Sequence, residues 1–177
     1  MKLLHSLLGI IVITSSLHSS AQNYFQQEVN YTIDVKLDDA KHELNATEKI
    51  EYINNSPTAL TFIYMHLWPN AYINNTTPLA KKLYEKGETK LYYATDEEIG
   101  FIDQLAFKID DKAVKWEIVK DSVDICKIYL NEPLPSGGKM IITTPFHVKL
   151  PSAKISRLGH IGQAYMITQW YPKPAVY

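Results

Sequence analysis

Cysteine is nearly absent from this sequence: Cys126 is the only one among 177 residues. A single cysteine cannot form a disulfide within the chain, so the fold must be stabilised by packing rather than by covalent cross-links. Cys126 lies in the apolar run 123–130, and the spacing places no partner base beside it. We therefore predict a buried, small hydrophobic side chain rather than a nucleophile.

The sequence also lacks an excess of charge of either sign. Lysine and arginine together number 18, aspartate and glutamate number 19, and the formal net charge is -1. No cluster of basic residues runs along a predicted strand or helix. Nucleic acids and anionic lipid surfaces require such a basic footprint, so we exclude both as partners.

Catalytic motifs are missing too. Residues 42–46 read His-Glu-Leu-Asn-Ala, which begins like the zinc motif His-Glu-x-x-His but lacks its second histidine. That motif also needs a helix to aim both imidazoles at one metal, whereas this segment is predicted to be a strand. Neither Gly-x-Ser-x-Gly nor a phosphate-binding loop occurs. His66, His147 and His160 are scattered and predicted to be structural, so we expect no catalytic residue, metal site or cofactor in this chain.

Residues 1–21 carry the clearest local signal. Lys2 gives a positive start, residues 3–17 are mostly apolar, and the small residues Ser19, Ser20 and Ala21 precede Gln22. This pattern predicts a secretory signal peptide cleaved after Ala21. A membrane anchor is the alternative, but the apolar run falls short of the roughly 20 residues that span a bilayer. We expect export to a periplasm, cell surface or medium, with no membrane span after cleavage.

Alternation dominates the first part of the remaining chain. In residues 31–37 and 44–52, apolar and polar side chains alternate, with a turn at 38–41 between the two runs. This period of two predicts an antiparallel hairpin with one buried face. Glu48 interrupts the apolar row of the second strand, and we expect the sandwich to be open or wet there.

Further strands and one helix follow. Residues 60–67 are apolar on both faces, which predicts a central strand covered on each side. Thr77 as N-cap, Pro78 at the first position and Gly87 as the stop predict one short inserted helix that caps the sheet edge, with its apolar stripe formed by Leu79, Ala80, Leu83 and Tyr84. Strands resume after residue 101, and Pro145 in the strand 139–148 suggests an edge or a bulge. The fold class is therefore all-β: an antiparallel β-sandwich domain spanning residues 22–177.

Two glycines flank a histidine in residues 157–163, which read Arg-Leu-Gly-His-Ile-Gly-Gln. The favoured interpretation is a glycine-permitted loop that turns the chain into its last strand. The alternative is a tight loop that presents Arg157 or His160 to a ligand.

The last nine residues, 169–177, combine three aromatic rings with two prolines. Proline removes a donor from any sheet, and large rings are costly to expose, so such a segment is typical of a groove wall. Residues 168–172 read Thr-Gln-Trp-Tyr-Pro and Ala175 follows. This run resembles the Thr-Gln-Phe-Glu-Pro-x-x-Ala-Arg signature of the aminopeptidase N and leukotriene hydrolase-like zinc metallopeptidases, the gluzincin aminopeptidases. The runs at residues 64–71 and 156–160 resemble secreted bacterial members.

The resemblance covers residues 22–177 and implies the saddle-shaped N-terminal β-sandwich of such an enzyme, incomplete at its C-terminal end. It implies that Gln169 and Tyr171 line the substrate site and bind the peptide. Tyr171 stands where the family usually has Glu or Gln, and Val176 where it often has Arg. Because a phenol offers no fixed negative charge, the expected recognition of the substrate amine is altered or lost.

The same resemblance places the zinc helix and the third zinc ligand in a catalytic domain downstream of this one. That domain is the expected partner, and this chain is expected to be its non-catalytic neighbour. Two alternatives stay open. One is a stand-alone secreted module that binds a glycan or an extended peptide on Trp170, Tyr171 and Tyr177, and the other is a purely structural adaptor.

Overall fold

The computed structural model describes residues 25–175 and confirms an all-β, antiparallel sandwich with one α-helix. Two sheets contribute to one hydrophobic core, in which Ile50 and Ile142 of the first sheet meet Met65 and Ile128 of the second. The signal-peptide prediction for residues 1–21 lies outside the described residues, as does Tyr177.

Twelve strands and two helices make up the described chain. In order they are β1 (Glu28–Asp38), β2 (Glu43–Ile53), β3 (Leu60–His66), a 3-10 helix (Trp68–Tyr72), α1 (Pro78–Glu85), β4 (Phe101–Asp103), β5 (Lys108–Ile109), β6 (Lys112–Ala113), β7 (Trp116–Val119), β8 (Ser122–Leu134), β9 (Lys139–Lys149), β10 (Gly159–Ile161), β11 (Ala164–Met166) and β12 (Lys173–Pro174). The first sheet has the order β1-β2-β9-β5-β6, with β4 also pairing with β9. The second has the order β12-β3-β8-β7, and β10 and β11 form a separate hairpin.

The predicted first hairpin is confirmed. Strands β1 and β2 pair without a break from Glu28 opposite Ile53 to Asp38 opposite Glu43. The inward row of β2 is buried, whereas Thr47 and Lys49 face solvent. Strand β9 pairs along the other side of β2, so β1 is left at the edge of the sheet.

Pro145 is neither on an edge strand nor at a bulge, contrary to the prediction. Strand β9 lies inside the first sheet, and its register with β2 is continuous through Thr47 opposite Pro145. On its other side, Asp103 of β4 pairs with His147 and Lys108 of β5 pairs with Thr143. Neither β4 nor β5 therefore pairs with β9 at Pro145. Because no strand pairs with this side of β9 there, the missing N–H of proline costs no hydrogen bond to a neighbouring strand.

Strand β3 is central in its sheet, but only one of its faces is buried. Ile63 and Met65 point into the core, whereas Phe62 and Tyr64 on the opposite face are half-buried. The Lys127 ammonium lies 3.9 Å from the centre of the Phe62 ring. A cation over aromatic faces covers this side, rather than the second apolar layer that the sequence predicted.

Helix α1 begins as predicted. The Thr77 hydroxyl accepts a hydrogen bond from the Ala80 N–H at 3.1 Å and donates one to the Ala71 carbonyl at 2.8 Å. Ala80 is fully buried, and Tyr84 at the end of the stripe is exposed. The main neighbour of the helix is the 3-10 helix rather than a sheet edge. Within residues 25–175, no helix combines the length and apolarity needed to cross a membrane.

Cys126 is buried, as predicted. It lies on the inner face of β8 with no exposed surface. Burial raises the pKa of its thiol to about 12, so the thiolate that reacts as a nucleophile is suppressed at neutral pH.

The segment 157–163 forms the start and the turn of the β10–β11 hairpin, so it is a glycine-containing turn as predicted, but the strand that it leads into, β11, is followed by β12 and is not the last. Arg157 is exposed, whereas the His160 ring stacks on the His42 ring with 3.6 Å between their centres. Burial and the neighbouring His42 lower the pKa of His160. His160 is therefore half-buried and packed against His42.

Gly159 makes the closest backbone approach in this hairpin. An added Cβ would lie 2.5 Å from the Pro151 carbonyl oxygen and 2.7 Å from the Ala153 nitrogen. We expect Gly159→Ala to lower the free energy of unfolding by about 2–3 kcal/mol, because rigid backbone must move. The control is Gly162→Ala, where φ is +52° with nothing within 4 Å, and where we expect about 1 kcal/mol. Urea unfolding measures both, and equal losses would contradict the steric argument.

Candidate functional site

The segment 168–175 is an integral part of the second sheet. Strand β12 pairs with β3, with Lys173 opposite His66 and Pro174 opposite Met65. The Ala175 N–H donates a hydrogen bond to the Tyr64 carbonyl at 2.8 Å. As the outermost strand of its sheet, β12 is a position where proline is tolerated. The segment is thus anchored on the sandwich.

Gln169 is exposed and stands at the start of this anchored stretch. Its φ is +54°, in the left-handed region that residues other than glycine seldom occupy. Such a conformation persists only where the surrounding structure enforces it, and it is enriched at ligand clamps and active sites. The packing of the next two residues supplies that enforcement.

Trp170 and Tyr171 are half-buried and interlocked. The Trp170 ring lies 5.8 Å from Phe146 and 5.4 Å from Tyr171, the latter in an edge-to-face arrangement. The Tyr171 ring also packs edge-to-face on Tyr31 of β1, with 5.3 Å between the ring centres. Both rings therefore join the core of the sandwich, which leaves less ring surface for stacking on a ligand.

Glu48 is the unexpected member of this neighbourhood. It lies on the inward row of β2, opposite Ile33 of β1 and Thr144 of β9, and only 3% of its surface is exposed. Neither of its carboxyl oxygens has a hydrogen-bond partner among the described residues. An unpaired carboxylate in such a place is very costly, so the group is driven to its neutral form.

Electrostatics links Glu48 to the segment 168–175 through Tyr31. Burial raises the pKa of Glu48 from its ordinary 4.5 to about 9, so it is protonated at neutral pH. The pKa of Tyr31 is also raised, by burial first and then by the neighbouring Tyr171 and Glu48. The three groups form a neutral cluster, which can donate and accept hydrogen bonds but provides no fixed negative charge.

The structure thus brings Tyr171 together with Tyr31 and Glu48, while Gln169 remains at the surface. Sequence reasoning identified Gln169 and Tyr171, and it singled out Glu48 only as a break in an apolar row. That break could have identified Glu48 as a site residue, because charged side chains are rarely buried at inward strand positions unless they are paired. Nothing in the sequence pointed to Tyr31.

A shallow hollow of about 440 Å³ lies on the first sheet, and Glu48 of this cluster is among the residues that line it. Exposed residues of β1, β2 and β9, among them Thr32, Asp34 and Lys49, line it. Gln169, Tyr171 and Tyr31 do not line it. The hollow therefore reaches Glu48 but not the aromatic members of the cluster.

The described residues offer no fit for zinc. Within 25–175, no group of three or more His, Cys, Asp or Glu side chains is arranged to hold a metal ion. The nearest approach is His147, whose Nδ1 lies 2.7 Å from Asp103 and whose Nε2 lies 3.4 Å from Glu43. These carboxylates bind opposite ring nitrogens, so the three side chains do not converge on one point.

Three tyrosines form the exposed aromatic group of the structure. Tyr84 and Tyr92 lie 4.4 Å apart, Tyr92 and Tyr93 lie 5.0 Å apart, and Tyr93 is 68% exposed. They belong to α1 and the loop after it, far in sequence from Trp170. Within residues 25–175, this tyrosine group is thus more exposed than Trp170 and Tyr171, which are half-buried.

The chain matches no protein-family model, and its comparison with curated proteins gave no match. The residues around Gln169 are therefore the basis on which a function is proposed.

Proposed function

We propose that this chain is the non-catalytic N-terminal β-sandwich domain of an exported, zinc-dependent aminopeptidase-like peptidase. In this proposal the domain packs on a catalytic domain that follows it in the protein. Gln169 and Tyr171 then line the site that receives a peptide substrate.

The observation that carries the proposal is the state of Gln169. Its amide is exposed, its backbone is in a left-handed conformation, and the residues after it are locked by Phe146 and Tyr31. The backbone fixes where this exposed side chain starts, and its amide can donate to a substrate carbonyl and accept from an amine. Polar groups that can bind a peptide backbone are what a peptide-binding wall requires.

Tyr171 contributes differently from the carboxylate that it replaces in the resembled signature. Its ring is fixed against Tyr31, so its hydroxyl and exposed ring edge are what it can offer. A phenol binds a cationic amine by a hydrogen bond and by cation–π attraction, both weaker than a fixed charge. We therefore expect weak selection for a free amino terminus.

Zinc bound in the catalytic domain would supply the hydrolytic chemistry, with a metal-bound water as nucleophile and a glutamate as base. This chain would hold and orient the substrate next to that site. Its own histidines and carboxylates would take no part in binding the metal.

The proposal predicts a loss of catalytic efficiency in the Gln169→Ala variant of the whole encoded protein. Losing a hydrogen bond to a charged group of the substrate weakens transition-state binding by about 1.5–3 kcal/mol. We therefore expect kcat/KM to fall by about 10- to 100-fold. Steady-state hydrolysis of aminoacyl and acyl-blocked peptide substrates measures it. Tyr171→Phe keeps the ring packing and is expected to cost less.

Thr168→Ala is the matched control, because Thr168 is an exposed neighbour of Gln169 in the same segment. It should leave kcat/KM unchanged, and thermal unfolding should show all three variants folded. Equal activity of the Gln169→Ala variant and the unaltered protein would remove Gln169 from the substrate site.

A further inference from the structure

Strand β1 is an open edge of the first sheet. Along Glu28–Asp38 it pairs with β2 on one side, and no described strand pairs with it on the other. Its eleven residues contain no proline or glycine, and its register has no bulge. Proteins usually protect such edges by these very devices, because unpaired N–H and C=O groups attract another strand. The edge carries charged side chains such as Lys36, but no proline, glycine or bulge blocks its backbone groups, so they are open to a partner strand of complementary charge.

Apolar surface accompanies this edge. Val35 and Leu37 lie on the row of β1 that faces the core, yet they are 50% and 40% exposed. Tyr31 and Ile33 on the same row are half-buried and pack on the core. The second sheet thus leaves the C-terminal part of the β1 inner face uncovered. A partner strand that continues the sheet places its own apolar side chains beside Val35 and adds apolar burial there.

The side chains of β1 are complementary to a second copy of β1. In an antiparallel pair with the two-fold axis at Thr32, Glu28 lies opposite Lys36 of the other copy, and Asn30 lies opposite Asp34. On the inner row, Val29 then faces Val35 and Tyr31 faces Ile33. Opposite charges and β-branched or aromatic pairs placed in this way stabilise neighbouring strands.

The adjacent registers lack this match. An axis at Asp34 sets two Asp34 carboxylates against each other, and an axis at Ile33 sets Glu28 against Asp38. Like charges directly opposite destabilise a strand pair. Registers shifted by a single residue would place inward side chains opposite outward ones, which the pleat forbids.

We propose that the chain forms a two-fold symmetric dimer by antiparallel pairing of β1 with β1 of a second copy, in the register centred on Thr32. Nine residues of each strand, 28–36, pair across the axis. The interface is isologous, so each favourable contact occurs twice. The first sheets of both copies become one continuous sheet.

The dimer also changes the outer surface. Thr32 and Asp34 line the hollow on the first sheet, and Thr32 stands at the axis. The hollows of the two copies then adjoin across the axis and form one longer trough. The pairing is independent of the role proposed for Gln169.

Charge reversal tests the register. Sedimentation velocity of the mature chain, residues 22–177, is expected to show a concentration-dependent dimer. Lys36→Glu and Glu28→Lys should each raise the dimer dissociation constant by about tenfold, which corresponds to about 1.4 kcal/mol. The double variant Glu28→Lys/Lys36→Glu restores the pairing with its signs exchanged, and we expect a dissociation constant within about threefold of the original.

Lys112→Glu makes the same charge change at the opposite edge of the sheet, on β6, and should leave the dimer unchanged. Thr32→Pro breaks the ladder at the axis and should yield a monomer, with thermal unfolding showing that it is folded. A monomer at every concentration up to about 100 µM would overturn the proposal. A dissociation constant that the single charge reversals leave unchanged would overturn it as well. So would a double variant whose dissociation constant stays as high as that of the single variants.

Discussion

Raising the pH from 6 to 8.5 is expected to destabilise this protein, and Glu48→Gln is expected to remove most of that loss. The pKa of Glu48 is about 9 in the folded chain and near its ordinary 4.5 when exposed. Between these values the folded state holds a proton that the unfolded state has released. The contribution of Glu48 to stability is therefore fully present below about pH 4.5 and falls as the pH rises towards 9, by up to about 1.4 kcal/mol per pH unit.

Urea unfolding followed by tryptophan fluorescence at several pH values measures this slope. Glutamine keeps the size and polarity of Glu48 but does not titrate, so the difference between the two slopes isolates the carboxyl group. Glu132→Gln is the control, because Glu132 is exposed on β8 and should leave the slope unchanged. Parallel slopes for the Glu48→Gln variant and the unaltered protein would show that Glu48 is not a buried neutral acid.

The second large effect is expected at Asn54, which links three separate parts of the chain. Its side-chain nitrogen donates to the carbonyls of Thr58, Leu134 and Pro135 at 2.9–3.0 Å. Its side-chain oxygen accepts from the Ser56 hydroxyl at 2.6 Å and from Gln27 at 3.2 Å. Asn54 is completely buried, so no water replaces a lost partner.

Asn54→Asp replaces the donor by a second oxygen, which then faces carbonyl oxygens without any hydrogen to share. We expect the free energy of unfolding to fall by about 3 kcal/mol or more, and Tm to fall by about 6–12 °C. Differential scanning calorimetry measures the shift. The same change at the exposed Asn45 of β2 should stay within about 0.5 kcal/mol. Similar effects at both positions would contradict a role for the buried network.

Local patterns predicted much of this fold, because strand and helix signals act over a few residues. The alternation in residues 31–37 and 44–52 predicted the first hairpin, since one face of each strand is buried. Thr77 and Pro78 predicted the start of α1, because capping and a fixed φ are properties of single residues. The burial of Cys126 was also predicted correctly, because it lies in a local apolar run, residues 123–130.

What the sequence did not predict depends on neighbours that are distant along the chain. Pro145 is tolerated inside a sheet because β4 and β5 leave a gap beside it. That gap depends on how distant segments pair with β9, so the residues around Pro145 could not predict it. Tyr31 meets Tyr171 across 140 positions, so the cluster with Glu48 exists only after both sheets assemble. The half-exposed outer face of β3 was missed because apolar rings were taken to require apolar cover, whereas Lys127 supplies a cation.

The two alternative functions, a binding module and a structural adaptor, make different demands on the segment 168–175. A binding module built on Trp170 and Tyr171 would need free ring faces, and those rings are packed against Phe146 and Tyr31. A purely structural adaptor predicts no effect of Gln169 or Tyr171 substitution on any activity of the whole protein, and the Gln169→Ala experiment distinguishes it from the substrate-wall proposal.

The central claim is that this domain serves a zinc peptidase, and the native protein isolated from its source tests it most directly. Its zinc content should be measured together with its release of amino-terminal residues from peptides, before and after treatment with a chelator. We expect one zinc per chain and hydrolysis that is lost on chelation and restored by zinc. A native protein without zinc and without peptidase activity would contradict it.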